Sequence, residues 1–393
     1  MRALTGRYRA LFRHAGAVRF AALSLAMRIP LGTVGLATLL HVRELTGSIA
    51  FAGSVVGAQL VASALTAPIL GRWVDTRGPR GVLLATGCVA PAALALMLAA
   101  GWLGLAKPAM FAVAVVAGAF APPVTVLVRT LWRMRLEEGP ARQTAFALDS
   151  VILELAYTLG PLAIALAIGL ASTATAMAIA WFSTLLAVPL LFASGALAWW
   201  KPQPAGARHW LGPLGAKPLQ VVYAATFALT LAFGALEVGY AAFGRAAGAD
   251  SWGPALIAIN SGGSAVAGLA FGGMAIRTPL TRLLPVLMAA MAAPIVLHLP
   301  IGSPWLLAPF AFAAGALIAP SMTTVMLLIS TLAPARYATE AFTWSSTAIV
   351  TGIGAGMAIA GALVERHGPN GAFAFAAGAA LAGAAIALLL RRR

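Results

Sequence analysis

The sequence predicts an all-α polytopic membrane protein of about 12 transmembrane helices in two pseudo-symmetric six-helix bundles. Three observations predict it: composition, length, and a resemblance between the two halves of the chain. Of 393 residues, 61% are hydrophobic and 9% charged, and mean hydropathy is +0.93. Water-soluble domains carry about 25% charged residues, so this apolar surplus calls for lipid as its solvent. At roughly 20 apolar residues per span, the length leaves no room for a separate soluble catalytic domain.

The apolar runs fall in order at 17–40, 49–71, 81–104, 109–131, 145–170 and 174–200. A second set follows at 220–243, 254–276, 283–300, 305–332, 341–364 and 370–390. The first run contains Arg28, and the second ends at Gly71-Arg72. The fourth holds Ala117-Gly118-Ala119-Phe120-Ala121-Pro122-Pro123, echoed in the tenth by Ala314-Gly315-Ala316-Leu317-Ile318-Ala319-Pro320. Thr144-Ala145-Phe146 precedes the fifth run as Glu340-Ala341-Phe342 precedes the eleventh. Two echoes at nearly one offset point to a six-plus-six duplication. The organisation expected is an N-terminal bundle over 1–200, a cytoplasmic linker rich in proline and glycine over 201–219, and a C-terminal bundle over 220–393. Parallel halves of this kind place a substrate site at their interface near the bilayer midplane.

The net charge is +16, yet the arginines stand in clusters between apolar runs, without the long basic segment or interleaved aromatics of a nucleic-acid binder. They alternate sides instead. With a cytoplasmic N-terminus, Arg2, Arg7, Arg9, Arg13, Arg19, Arg72, Arg77, Arg80, Arg129, Arg133, Arg135, Arg142, Lys201, Arg208, Lys217, Arg277, Arg282, Arg336 and the terminal arginines all fall inside. Arg43, Lys107, Arg245 and Arg366 remain outside, as the positive-inside rule requires. The expected setting is the inner membrane of a bacterium, with both termini cytoplasmic and the protein a monomer among membrane lipid. The only cysteine, Cys88, excludes a disulfide within the chain. No signal peptide is read at the N-terminus, and no metal or cofactor motif is present.

Between the second and third runs stands Gly71-Arg72-Trp73-Val74-Asp75-Thr76-Arg77-Gly78-Pro79-Arg80. It resembles the signature loop of the major facilitator transporters, a glycine followed at fixed offsets by aspartate, glycine and basic residues. Gly71, Asp75, Gly78 and Arg80 match; Arg77 is displaced by one position, and Thr76 and Pro79 stand where the family has basic residues. The resemblance implies a cytoplasmic latch in which Gly71 allows close helix approach, Gly78 turns with positive φ, and Asp75 faces the N-terminal end of helix eleven. The second copy, Gly272 to Pro279, lacks the acid. Gly160-Pro161 in the fifth run partly resembles the antiporter motif of drug-exporting members, with Ala156, Ile164 and Ala165 where that motif has glycines. Together with Arg28-Ile29-Pro30, Leu236-Glu237-Val238 and Glu340-Ala341-Phe342-Thr343-Trp344, the pattern looks like actinobacterial facilitators presumed to be exporters.

Charges inside spans are functional hypotheses by default. At about 1.5 Å per residue, Arg28 and Glu154 are expected at similar depth as a switchable pair, with Tyr157 one turn above, against the alternative of a purely structural pair. Arg129 and Asp149 are expected near the cytoplasmic surface, forming with Asp75 an acid–base network under the signature loop. Glu237 and Asn260 are the second-half candidates for coupling or substrate contact. Gln59, Trp181, Tyr240, His298 and Trp344 are weaker candidates, and Ser261-Gly262-Gly263-Ser264 and Gly352 to Gly356 read as surfaces for tight helix contact.

The function expected is secondary active transport of a small amphiphilic or hydrophobic molecule by alternating access, as proton-coupled efflux with H+ as partner. Import or gradient-insensitive uniport is the alternative within the class. A lipid-modifying enzyme is disfavoured because the only adjacent acids, Glu137-Glu138, lie in a basic loop; a non-transporting sensor would share the same fold.

Overall fold

A computed structural model describes residues 2–201, 211–248 and 252–392. Arg208, counted above among the inside charges, lies outside the described residues. A short helix α1 (Arg2–Phe12) precedes the first span, which is broken into α2 (Ala17–Arg28) and α3 (Pro30–Thr46). The rest of the first half is α4 (Ile49–Arg77), α5 (Pro79–Leu98), α6 (Lys107–Ala119) with α7 (Val124–Arg135), α8 (Pro140–Leu170) and α9 (Thr173–Ala193). The second half repeats the series as α10 (Lys217–Ala246), α11 (Trp252–Gly273), α12 (Leu280–Val296), α13 (Pro304–Gly315) with α14 (Ile318–Leu332), α15 (Ala338–His367) and α16 (Pro369–Leu388). Eleven segments among the described residues are long and apolar enough to cross a membrane. The ninth position, α12, is a shorter apolar helix, placed at 280–296 where 283–300 was expected.

The breaks have local causes. Proline cannot donate a helical N–H and crowds the preceding turn, so the first span breaks at Pro30 and the fourth at Pro122-Pro123, where α7 begins after Pro123. At Gly78, φ is 82°, a conformation open to glycine at little cost. The chain there leaves α4 and enters α5 through Pro79 at the first helical position. The sixth span ends at Ala193, short of the expected 200, because the chain turns at Gly195 into a short 3-10 segment, Ala196–Trp199. Trp199 then stacks with Phe20 and Trp132 at ring-centroid distances of 5.1 and 5.7 Å.

Packing depends on small residues, because in lipid the gain comes from close contact rather than from apolar burial. A Cβ on Gly118 would run into the carbonyl of Gln59 on α4, and one on Gly315 into the carbonyl of Asn260 on α11. The two echoed segments therefore make equivalent contacts, fourth span on second and tenth on eighth. The other echo meets across the halves: the Phe146 and Phe342 rings lie 6.0 Å apart, edge to face. The halves touch chiefly through α4 against α15 and α8 against α11.

Candidate functional site

Most of the hydrogen bonds and ion pairs that join the halves lie at the end of the bundle that carries α1. The Asp75 carboxylate accepts from the backbone N–H of Thr339 at 3.0 Å and of Glu340 at 2.9 Å, at the start of α15. Beside it, Arg72 Nη2 donates to Glu340 Oε1 at 2.8 Å. Gly71 makes the approach possible, since a Cβ there would strike the Thr343 side chain and come within 3.2 Å of Glu340 Cα. Arg77 stacks on Trp73 at 5.6 Å and, with Arg80, Asp75 and Trp200, lines a cavity of about 560 Å³.

The α8–α11 seam is closed in the same way. Gln143 Nε2 donates to the carbonyls of Phe271 and Met274 at 2.8 and 2.9 Å, and Thr144 Oγ1 donates to Gly272 O at 2.6 Å. Arg142 Nη1 reaches Ser330 Oγ at 3.1 Å, and Arg133 Nη2 reaches Ala333 O at 2.5 Å. Across this seam lies α1: Arg7 Nη1 donates to Gln143 Oε1 and to Met274 O, and Tyr8 OH donates to Leu269 O at 2.8 Å. Burial pushes the Tyr8 hydroxyl up to about 12, so the donor stays protonated at physiological pH. In sequence these arginines stand as topology signals, and polar residues recurring along 2–12 are the one sign of this strap.

Deeper in, the charges pair differently from expectation. Arg28 forms an ion pair with Asp149, not Glu154, and Arg129 Nε donates to the other Asp149 oxygen at 3.0 Å. All three side chains are at most 3% exposed. The reason is the start of α8, which lies at Pro140 rather than 145. About five residues of extra helix is roughly 7.5 Å of depth, and that brings Asp149 level with Arg28. The seventh helix likewise continues to Arg135, which leaves Arg129 inside the protein rather than at its surface. Asp75 serves α15, so the acid–base network is Arg28–Asp149–Arg129 in place of Asp75–Arg129–Asp149.

One turn or so beyond this triad, Glu154 Oε1 accepts from Ser264 Oγ of the other half at 3.1 Å. Ser264, read from sequence only as a packing residue, is thus a polar partner. Glu237 on α10 lies within electrostatic reach of Glu154, and Tyr157 senses Arg28, Arg129, Glu154 and Glu237 together. Tyr157 is nevertheless 40% exposed. Gly160 and Pro161 lie further along α8 on its crossing with α3, where Gly160 and Gly32 meet backbone to backbone. Asn260 is buried, its amide donating to Ala311 O at 2.9 Å and to Tyr240 OH at 3.4 Å, while Tyr240 OH pairs with His298 Nε2 at 3.0 Å. That network ties α10, α11, α13 and the chain after α12 together.

An all-helical bundle with a glycine–aspartate loop set on the start of α15 makes the major facilitator fold. Solved structures of that fold superpose over nearly the whole chain. A bacterial homologue of the iron transporter ferroportin in an outward-facing state is similar with TM-score 0.78 at 11% identity, covering 96% of this chain and 99% of that one. The human organic anion transporter MFSD10 (TETRAN) gives 0.70 at 16%, covering 95% and 99%. The fucose:proton symporter of E. coli gives 0.72 at 9%, covering 95% and 97%. No protein-family model matches the chain, and no curated protein matches it in sequence.

Proposed function

We propose that the protein is a secondary transporter of the inner membrane that moves a small amphiphilic organic molecule by alternating access, as proton-coupled efflux. The observation that carries this reading is Glu154, bonded to Ser264 of the other half and within electrostatic reach of Glu237 on α10, beyond the Asp75 and Gln143 contacts at the α1 end. With the arginine-rich end in the cytoplasm, as the positive-inside rule favours, this conformation is outward-facing, and both termini are cytoplasmic. Two carboxylates within electrostatic reach of each other repel in a low dielectric. A proton or a cationic group between them relieves that repulsion, and this couples cargo to protons. The Arg28–Asp149–Arg129 triad is the fixed electrostatic floor of the site, and Asp75, Arg77, Arg80 and the residues around them form the latch.

Among the described residues no three His, Cys, Asp or Glu side chains come together to hold a metal ion. The cargo proposed is organic, as the sparsely polar spans favour. The test is flux in proteoliposomes under an imposed pH gradient, with a panel of lipophilic cations and metabolites. The proposal expects flux that follows the gradient and is lost in Glu154→Gln or Glu237→Gln. Flux indifferent to the gradient and to both substitutions defines a uniporter and overturns the coupling.

A further inference from the structure

The end of the bundle that closes holds a second cavity, of about 410 Å³, where α1, the start of α8 and the loop from α11 to α12 meet. Arg7, Arg142, Arg277, Gln143, Thr278 and Glu138 are among its lining residues. Three guanidinium groups face one carboxylate, and that carboxylate's side chain is 65% exposed, so water screens it. Arg142 is already engaged by the carbonyls of Leu136 and Arg133, by Ser330 and, at 3.5 Å, by Glu138. Arg7 uses one nitrogen on Gln143 and Met274. Arg277 is exposed, with no hydrogen bond or ion pair among the described residues.

The duplicated loop shows what is missing. In the first copy, Asp75 supplies the anion that bridges one half to the other. In the second copy Ile276 stands where Asp75 does, as Gly272 stands where Gly71 does, and the arginine-lined cavity lies beside it. We propose that this cavity binds a phosphate-type anion, which bridges Arg7 of the first half to Arg277 of the second beside the positive charge of Arg142, and holds this end shut. Guanidinium forks match phosphate oxygens in geometry as well as charge. The anion has two sources, inorganic phosphate or the headgroup of an anionic phospholipid, and basic pockets between membrane helices take such headgroups.

The experiment uses the full chain purified in detergent, with bound lipid read by native mass spectrometry and stability read by thermal melting. The probes are phosphatidylglycerol, phosphatidylcholine and inorganic phosphate, on the wild type, Arg277→Ala and Arg277→Lys. The expected result is retention of phosphatidylglycerol over phosphatidylcholine, weakened about tenfold in Arg277→Ala, the size of one lost charge-assisted hydrogen bond, and largely restored in Arg277→Lys. A stabilisation by inorganic phosphate with the same dependence on Arg277 supports the site and identifies a soluble anion; its absence beside lipid retention identifies the headgroup. Equal retention of both lipids with no phosphate effect, or retention indifferent to Arg277, overturns the proposal.

Discussion

Asp149 serves two buried arginines at once, and its substitution tests that arrangement. Removing one partner of a buried ion pair costs about 3–5 kcal/mol, because the remaining charge is left uncompensated. Asp149→Asn leaves Arg28 and Arg129 facing each other without a counter-charge, so it is expected to lose that much in denaturation by heat or chemical denaturant in detergent. Arg129→Gln leaves the Arg28–Asp149 pair intact and is expected to cost clearly less. Equal losses would contradict the shared role of the carboxylate. Asp75 acts on a different quantity. Its carboxylate caps the start of α15, and replacing such a cap costs about 1 kcal/mol, or roughly a fivefold shift in the population of the closed end. Asp75→Asn is therefore expected to raise the reactivity of a cysteine placed at Ser330, measured against a Cys88→Ser background, without changing the melting temperature greatly.

At the scale of helices, glycine positions decide how closely spans approach. Gly118→Ala and Gly315→Ala put a Cβ against backbone carbonyls of α4 and α11, atoms that cannot swing aside. Each is expected to cost about 1–3 kcal/mol by overpacking, and the two losses should be similar because the contacts are equivalent. Gly354→Ala, with nothing within 4 Å of the added atom, is the control and should melt like the wild type. The sequence made the order and apolar character of the spans legible, because lipid demands long apolar runs and the positive-inside rule marks their ends. It also exposed the signature loop and the Gly118 and Gly315 echoes. The helix start at Pro140 was not legible: Arg142, Gln143 and Thr144 are polar and read as loop, yet they form helix because their side chains bond the α11 end and α14. That one displaced boundary assigned Arg28 to Glu154 instead of Asp149. The Ser264 contact was hidden for another reason, since it depends on how two halves meet and no local pattern encodes that.

At the scale of the whole molecule, most of the polar contacts between the first and second halves lie at the α1 end, and fewer lie deeper, among them Glu154–Ser264. In this geometry the contacts at the α1 end are few enough to break and re-form, while the glycine-mediated contacts within each half are backbone to backbone and stay. Proton-coupled efflux then predicts that Glu237→Gln removes the dependence of flux on the pH gradient, checked in proteoliposomes at matched protein content. The central claim is that the two ends open in alternation, and paired spin-label distances test it most directly. On a Cys88→Ser background, one pair of labels at Glu137 and Arg282 spans the α1 end, and a second at Trp102 and Gly302 spans the opposite end. The account predicts two populations at each end, with Asp75→Asn lengthening the first distance and shortening the second; a single distance at both ends, or both moving in the same direction, would contradict it.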